Sequence, residues 1–342
     1  MAKRRLSKQQ QWRIQKIQAE RTDRAARKER DIDQQVASGE LGTEQLGLVI
    51  AHYGRQLDVE ALEGERQGRI ARCHVRTNID GLVTGDRVIW RPGAEEIGVI
   101  VARHERSTLL QRPDKYGQMK AIAANIDHII LVIAPEPEPH DNLIDRYLVA
   151  AENTGIPVVI LLNKTDLLTA ENQSSINDLL ARYESLGYAV VRTSALGHIE
   201  QMKEVEQLLE GKTSVFVGQS GVGKSSIIQA IMPEESIRVG AISESTGKGV
   251  HTTTTARLFH LNCGGDLIDS PGIREFGLWH MSEDEITRGF REISPLIGYC
   301  KFRNCKHLQE PGCALEEALA DGRISEARMQ SYRRILRDME QQ

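Results

Sequence analysis

Residues 214–225 read Ser-Val-Phe-Val-Gly-Gln-Ser-Gly-Val-Gly-Lys-Ser. The first four predict a buried strand, and the rest match the pattern GxxxxGK[ST], in which a glycine-rich loop joins a strand to a helix. Glycines allow backbone N–H groups to curve round phosphate oxygens, and the N-terminus of the following helix adds positive charge. A chance glycine-rich turn would not require this strand–loop–helix context. The stretch therefore predicts a P-loop nucleotide-binding fold.

Two side chains of this loop carry the expected chemistry. Lys224 would reach the β- and γ-phosphate oxygens as a catalytic charge, and the Ser225 hydroxyl would ligate Mg²⁺. The predicted phosphate-binding residues are Gly218, Gln219, Ser220, Gly221, Val222, Gly223, Lys224, Ser225 and Ser226.

A second motif lies earlier in the chain, where the apolar strand 157–162 ends in Asn163-Lys164-Thr165-Asp166. The Asp166 carboxylate can accept hydrogen bonds from guanine N1–H and from its exocyclic amine, donors that adenine lacks, so adenine would leave the carboxylate unpaired. Asn163 would orient the loop, and the stem of Lys164 would cover the base. A simple Asx turn is the alternative for this tetrapeptide alone. It becomes improbable because Ser194 and Ala195 follow the next strand, as expected for a loop that backs the guanine O6.

A third motif, DxxG, begins at Asp269 and ends at Gly272, after another predicted strand. Asp269 would hold Mg²⁺ through water, and the Gly272 amide would sense the γ-phosphate. Between the P-loop and this motif, residues 246–255 form a hydroxyl-rich loop suited to switch I. We favour Thr253 as its magnesium ligand, with Thr252 and Thr254 as alternatives in register; any one of them could instead be a polar surface residue.

The order of these motifs is unusual. Ordinary GTPases place the P-loop first, whereas here the guanine motif at 163–166 precedes the P-loop at 218–225. Strands and helices alternate through this region, which predicts a parallel sheet with helices on both faces. A permutation moves only the chain termini, so the assembled site can be unchanged. We therefore predict a circularly permuted G domain whose chain leaves the domain soon after Gly272.

Short alternating strands precede the G domain, beginning near Gly47 and separated by glycine-rich turns. Their number and spacing predict a five-stranded OB-type barrel, a fold that commonly binds RNA. A barrel that only packs against its neighbour is the alternative. The chain is thus predicted to be a multidomain α/β protein: a basic arm over 1–37, the barrel over 38–112, the G domain over 113–278 and a mostly helical zinc-binding domain over 279–342.

Charge and composition indicate the kind of partner and the cellular compartment of the protein. The 342 residues have a net charge of -4, but residues 1–30 contain eleven Lys or Arg and only three acids. Such an arm favours contact with a polyanion, most simply nucleic acid, although a disordered solubilising tail is the alternative. The sequence lacks an apolar signal segment and a long apolar run, and its five cysteines do not suggest disulfides. We expect a cytoplasmic protein without a membrane partner.

Four potential metal ligands cluster near the C-terminus: Cys300, Cys305, His307 and Cys313. The spacing C-x4-C-x-H-x5-C supplies three thiolates and one imidazole, a closed tetrahedral set for structural zinc. Reduced cysteines without a metal are the alternative. Lys301, Arg303 and Lys306 make the segment basic, which suits contact with RNA.

Together these features resemble the bacterial ribosome small subunit-dependent GTPase A family. The likeness rests on the permuted order, on residues 248–254 and on the Cys3His set, and it spans nearly the whole chain. Val250 departs from the pattern, since many members have arginine there. The resemblance implies a GTPase that binds GTP and GDP, acts on the 30S subunit and its 16S rRNA late in maturation, is stimulated by the subunit, and helps release other assembly factors. We also expect a monomer.

The residue that positions the attacking water is a separate question, because Ile273 occupies the place of the glutamine found in Ras-like enzymes. His251, within the predicted switch I, is our candidate, since a neutral imidazole can hydrogen-bond to water. The alternatives are an exposed residue or an rRNA contact, with the ribosome supplying the group. Two rival functions stay open: a GTP-gated RNA-binding switch with negligible turnover, and a GTPase that serves tRNA or a metallocentre.

Overall fold

The computed structural model describes residues 41–54, 56–76, 79–93, 97–113, 118–195, 199–232, 256–269, 281–307 and 310–340. The chain divides into two compact units. One ends at Leu82 and resumes over Arg87–Glu105, and the other comprises Val83–Asp86 and Arg106–Gln342. None of the helices among the described residues combines the length and apolar character needed to span a bilayer.

The first unit is a closed barrel of five strands. They are β1 (Gln45–Tyr53), β2 (Gln56–Ala61), β3 (Ile70–Val75), β4 (Arg87–Pro92) and β5 (Ile97–Arg103). Neighbours pair antiparallel except β3 with β5, which run parallel, and the pairing of β1 with β4 closes the barrel. The OB-type barrel predicted from the sequence is confirmed.

Buried side chains alternate with more exposed ones along these strands, and the buried ones form the interior of the barrel. On β2, Leu57, Val59 and Ala61 are buried, as the sequence pattern predicts. Trp90 fills the centre and is 1% exposed. A Cβ on Gly47 would lie 2.7 Å from the Trp90 ring, so glycine is required where β1 passes this large side chain.

The second unit is built on a six-stranded sheet in the order β10-β9-β8-β11-β13-β12. Its strands are β8 (His128–Ile133), β9 (Val158–Leu162), β10 (Ala189–Arg192), β11 (Thr213–Val217), β12 (Arg257–His260) and β13 (Asp266–Asp269). Neighbouring strands pair in parallel, except β12 with β13, which run antiparallel. Every residue of β8 and β9 is buried, as expected for a sheet covered on both faces.

Four helices among the described residues accompany this sheet: α1 (Asp141–Glu152), α2 (Gln173–Ser185), α3 (Ile199–Leu209) and α4 (Lys224–Ile231). Val205 and Leu209 of α3 pack with Ile227 and Ile231 of α4 in one apolar cluster, which also contains Ile130 of β8. The predicted α/β architecture of the G domain is confirmed, with small shifts at the ends of elements.

Two features of this unit were not predicted. A hairpin of β6 (Leu109–Pro113) and β7 (Met119–Ala124) precedes the sheet, and β12 adds an antiparallel edge strand. The hairpin's second strand reads Met-Lys-Ala-Ile-Ala-Ala, which carries helix-forming residues and little alternation. Pairing with β6 overrides that local preference.

Three further helices complete the C-terminal part: α5 (Glu283–Gly289), α6 (Ala314–Ala320) and α7 (Glu326–Glu340). Ser282 caps α5 through a capping box with Glu285. The core of this part contains Phe290, Cys313 and Tyr332, and it includes Val149 of α1. The C-terminal helices therefore share a core with a helix of the nucleotide-binding sheet.

Candidate functional site

Five parallel strands end at the same edge of the sheet, and the predicted nucleotide motifs follow four of them. Asn163 follows β9, Ser194 lies just beyond β10, Gly218 follows β11, and Asp269 is the last residue of β13. The carboxyl edge of an open parallel sheet is the usual place for a ligand in such folds. The structure thus brings together motifs that are far apart, and in permuted order, in the chain.

Asn163 connects three loops at this edge. Its side chain is 1% exposed. The amide Nδ2 donates to the Val222 carbonyl at 2.9 Å, and the Oδ1 accepts from the Ala195 backbone N–H at 3.3 Å. The predicted orienting role of Asn163 therefore has a physical basis, since one side chain fixes the spacing between the guanine motif, the Ser-Ala loop and the P-loop.

The Asp166 carboxylate is held at the surface by the neighbouring loop. The Ser194 hydroxyl donates to Asp166 Oδ1, and the Thr165 backbone N–H donates to the Thr193 carbonyl at 3.2 Å. Ser194 is buried while Asp166 is exposed. The carboxylate is thereby oriented from behind and presented outward, as recognition of a base edge requires.

Lys164 adopts the left-handed conformation, with φ at 57°. Its Nζ donates to the Glu136 carbonyl at 2.9 Å, in the loop that follows β8. The aliphatic stem of Lys164 therefore extends across the edge of the sheet, the position needed to cover the face of a base.

Two P-loop glycines are required both by their backbone conformation and by the lack of space for a side chain. Gly218 and Gly223 have φ of 135° and 92°, values that side chains rarely tolerate. A Cβ on Gly218 would lie 2.3 Å from the Val132 carbonyl oxygen, and one on Gly223 would lie 2.3 Å from Asn163 Nδ2. The loop therefore packs directly against β8 and the guanine motif.

Lys224 folds back over the loop that precedes it. Its Nζ donates to the carbonyl oxygens of Gly218 and Gln219, both at 2.7 Å. Val222 is buried, Ser225 is half-buried, and Gln219, Ser220, Gly221 and Ser226 are exposed. The ammonium group is thus placed within the loop at the N-terminus of α4, where phosphate oxygens would be bound.

Asp269 is half-buried and lies opposite Arg257 in the β12–β13 pairing. Several other predicted site residues lie outside the described residues. They are His251, Thr252, Thr253, Thr254, Gly272 and Ile273.

A second candidate site gathers the four predicted metal ligands. The ligand atoms of Cys300, Cys305, His307 and Cys313 all lie within 4.8 Å of one another. The His307 Nδ1 lies 3.5, 3.7 and 3.4 Å from the three sulfurs, in the order of the chain. Three sulfurs and one nitrogen at these separations suit a tetrahedral ion, so the cluster could hold a metal such as zinc.

The thiols of the cluster need a bound cation in order to become thiolates. Burial raises the pKa of the Cys305 thiol to about 12 and also raises that of Cys313, so both would keep their protons unless a cation replaced them. The Ala314 backbone N–H donates to the Cys300 sulfur at 3.4 Å, a contact that supports a thiolate. His307 has a φ of 61°, a conformation that a bound ion would help to hold.

Sequence reasoning missed a buried ionic network that joins helices α1, α2 and α7. Arg328 of α7 contacts Asp145 of α1 and binds Glu292 through Nε at 2.6 Å and Nη2 at 3.1 Å. The Tyr183 hydroxyl of α2 donates to Asp145 at 2.7 Å. Arginine on an amphipathic helix normally indicates a solvated face, so only three-dimensional packing reveals this role.

Comparison with known proteins agrees with this geometry. The sequence profile of the RsgA GTPase family matches residues 103–279. A protein named small ribosomal subunit biogenesis GTPase RsgA in Marinobacter nauticus is 68% identical over 343 residues, covering 100% of this chain and 98% of its own. A protein of the same name in Hahella chejuensis is 58% identical, with the same coverage.

Solved structures show the same architecture. YjeQ from Thermotoga maritima is 30% identical with a TM-score of 0.70, covering 88% of this chain and 100% of its own. YloQ, described as a circularly permuted GTPase, is 26% identical with a TM-score of 0.68, covering 87% of this chain and 96% of its own. The likeness therefore extends over both the barrel and the second unit.

Proposed function

The chain belongs to the RsgA GTPase family of P-loop enzymes that hydrolyse GTP, and we propose that it acts on the small ribosomal subunit during late maturation. One observation supports the binding of GTP most directly: Asn163 joins the guanine motif, the Ser-Ala loop and the P-loop at one edge of the sheet. The choice of partner is supported by full-length relatives whose names specify small-subunit biogenesis.

The proposed roles in binding follow from chemistry and position. Asp166, oriented by Ser194, accepts from the guanine edge. Lys164 covers the base, and the loop of Ser194 and Ala195 backs the guanine O6. Lys224 and the P-loop amides hold the phosphates. Mg²⁺ would be held by Ser225, Thr253 and Asp269, and when bound it neutralises charge on the β- and γ-phosphates. Gly272 would sense the γ-phosphate through its amide.

His251 is our proposal for the group that orients the attacking water, because Ile273 offers no hydrogen bond. Without such a group, intrinsic turnover is expected to be slow. His251→Ala should lower the subunit-stimulated kcat by about 10²-fold with little change in GTP affinity. If only affinity for the subunit falls, His251 is a binding residue and the ribosome supplies the group.

We propose structural zinc for the Cys3His cluster, since all four positions of a tetrahedral ion are filled by protein atoms. The domain bounds given above, at 37, 112 and 278, form part of the same proposal. The basic arm would bind rRNA phosphates, and the protein would act in the cytoplasm as a monomer that contacts 16S rRNA and other assembly factors.

Sedimentation with separated ribosomal subunits tests this function. In the presence of a non-hydrolysable GTP analogue, the protein should migrate with the small subunit and leave it when GDP replaces the analogue. Multiple-turnover hydrolysis should accelerate when small subunits are added. Migration with the large subunit alone would refute the proposal, and binding without any accelerated turnover would favour the GTP-gated switch.

A further inference from the structure

Several exposed large apolar side chains lie on one short segment of the second unit. Ile297, Tyr299 and Phe302 are 41%, 78% and 49% exposed, and Tyr299 exceeds every other large apolar residue described as exposed. Tyr299 and Phe302 flank Cys300, the first ligand of the metal cluster. Two exposed aromatic side chains three positions apart in the chain indicate a surface that meets a ligand.

The backbone beneath these rings is fixed. The Lys301 N–H donates to the Gly312 carbonyl at 2.9 Å, and the Cys305 N–H donates to the Phe302 carbonyl at 3.2 Å. Gly312 has a φ of 77°, and a Cβ there would lie 2.8 Å from that of Lys301. The two aromatic residues therefore stand on a preorganised turn, which reduces the entropy lost when a ligand orders them.

The positive charge of the same segment indicates which kind of ligand it would bind. Lys301, Arg303 and Lys306 are all exposed, and residues 297–307 contain no acid. The Lys301 Nζ lies 5.6 Å from the centre of the Phe302 ring. Two acids lie nearby but are engaged, since Glu310 accepts from the Lys306 backbone N–H at 2.9 Å and Glu316 pairs with Arg333.

We propose that Tyr299 and Phe302 form a stacking platform for unpaired bases of RNA, with Lys301 and Arg303 contacting the adjacent phosphates. Aromatic faces interleaved with cations are the pattern by which proteins bind single-stranded nucleic acid. A protein partner is disfavoured, because three exposed cations on a segment without an acid suit a polyanion. This proposal rests on the proposed function in one respect: the RNA that binds the platform would be rRNA.

Binding of short labelled RNAs to the full-length, zinc-loaded chain tests this proposal by fluorescence anisotropy. Tyr299→Ala and Phe302→Ala should each raise the Kd for unstructured oligo(A) by about tenfold, the effect of losing one stacked base. The Kd for a hairpin duplex should change much less, because its bases are already paired. Tyr299→Trp should retain the affinity, and Met119→Ala, which removes an exposed apolar side chain elsewhere in the unit, serves as the control.

Salt dependence separates the two parts of the platform. The aromatic substitutions should leave the slope of log Kd against log salt unchanged. The double substitution Lys301→Ala and Arg303→Ala should reduce that slope by about 0.7 for each lost phosphate contact. Equal metal content and equal unfolding midpoints would establish that all variants are folded.

Two results would overturn the platform. One is an unchanged Kd for oligo(A) in both aromatic variants. The other is loss of small-subunit sedimentation with unaltered RNA affinity, which would assign the surface to a protein. In either case, stimulation of GTP hydrolysis by small subunits in the unsubstituted chain would leave the proposed function standing and remove only the platform.

Discussion

The side-chain amide of Asn163 donates a hydrogen bond to the backbone carbonyl of Val222 at 2.9 Å, although 59 positions separate the two residues. In the chain, the guanine motif comes before the P-loop, and this bond joins them within the folded sheet. Gly223, the next residue, passes so close to Asn163 that a Cβ would lie 2.3 Å from Nδ2. The loops proposed to read the base and to hold the phosphates are therefore in direct contact.

Gly223→Ala should disrupt both halves of the site. The new Cβ would displace Asn163 and would also occupy a left-handed conformation that costs about 1–2 kcal/mol. We expect the affinities for GTP and GDP to fall at least about tenfold, as measured by equilibrium binding of fluorescent nucleotides. Gly264→Ala is the matched control: it has a φ of 85° but nothing within 4 Å, so it should cost stability and leave nucleotide affinity unchanged.

Lys224→Ala should abolish hydrolysis while leaving the fold intact. The ammonium lies within the P-loop, bonded to the Gly218 and Gln219 carbonyls, where it can meet phosphate oxygens. Removing one such group from a phosphoryl-transfer site should lower the single-turnover rate by about 10²–10³-fold. Lys212→Ala, an exposed lysine before β11, provides the comparison. Turnover at the wild-type rate in the Lys224 variant would contradict the catalytic assignment.

Asp166→Asn should change the preferred base. An amide can donate to the C2 carbonyl of xanthine, whereas guanine presents donors that require the carboxylate. Loss of these charged hydrogen bonds, each about 1.5–3 kcal/mol, should weaken GTP by at least tenfold and improve xanthosine triphosphate, as measured by competition binding. Asp178→Asn, on the exposed face of α2, should alter neither affinity. A guanine preference that survives in the Asp166 variant would exclude this residue from the base pocket.

The ease of predicting these residues has a physical cause. The P-loop, the guanine motif and the metal set each lie in a short stretch of sequence, so spacing alone reveals them. The Asn163–Val222 bond and the approach of Gly223 are long-range, and no local pattern encodes them. Arg328 was missed because its helix looks amphipathic in sequence, yet packing leaves the residue only 1% exposed.

Cys305→Ser should release the metal and loosen the C-terminal helices. Cys300 and Cys305 pack against the core that contains Phe290 and Tyr332, so the bound ion would stabilise that core. Structural zinc contributes about 10–16 kcal/mol of apparent binding energy in small folds. We expect metal analysis to show less than one equivalent of zinc, with faster hydrogen exchange in α6 and α7. Cys263→Ser, which lies outside the cluster, is the control and should retain the metal. If Cys305→Ser also retained a full equivalent of zinc, Cys305 would not be a ligand.

Arg328→Met should separate the C-terminal helices from the nucleotide-binding sheet. Arg328 compensates Asp145 of α1 and Glu292, and all three side chains are at most 7% exposed. Removing the guanidinium leaves two buried carboxylates without a counter-charge, and breaking such a pair costs about 3–5 kcal/mol. We expect that loss in urea-induced unfolding, with increased hydrogen exchange in α1 and α7.

Two further variants identify the cause of that loss. The additional changes Asp145→Asn and Glu292→Gln remove the stranded charges, so the triple variant should recover part of the lost stability even though it lacks the ion pairs. Arg323→Ala removes an exposed arginine whose partner is Asp321, and exposed pairs contribute little, so its unfolding midpoint should scarcely move. If the triple variant were no more stable than Arg328→Met, the loss would come from the packing of the guanidinium against Phe290, 4.4 Å from its ring centre, rather than from uncompensated charge.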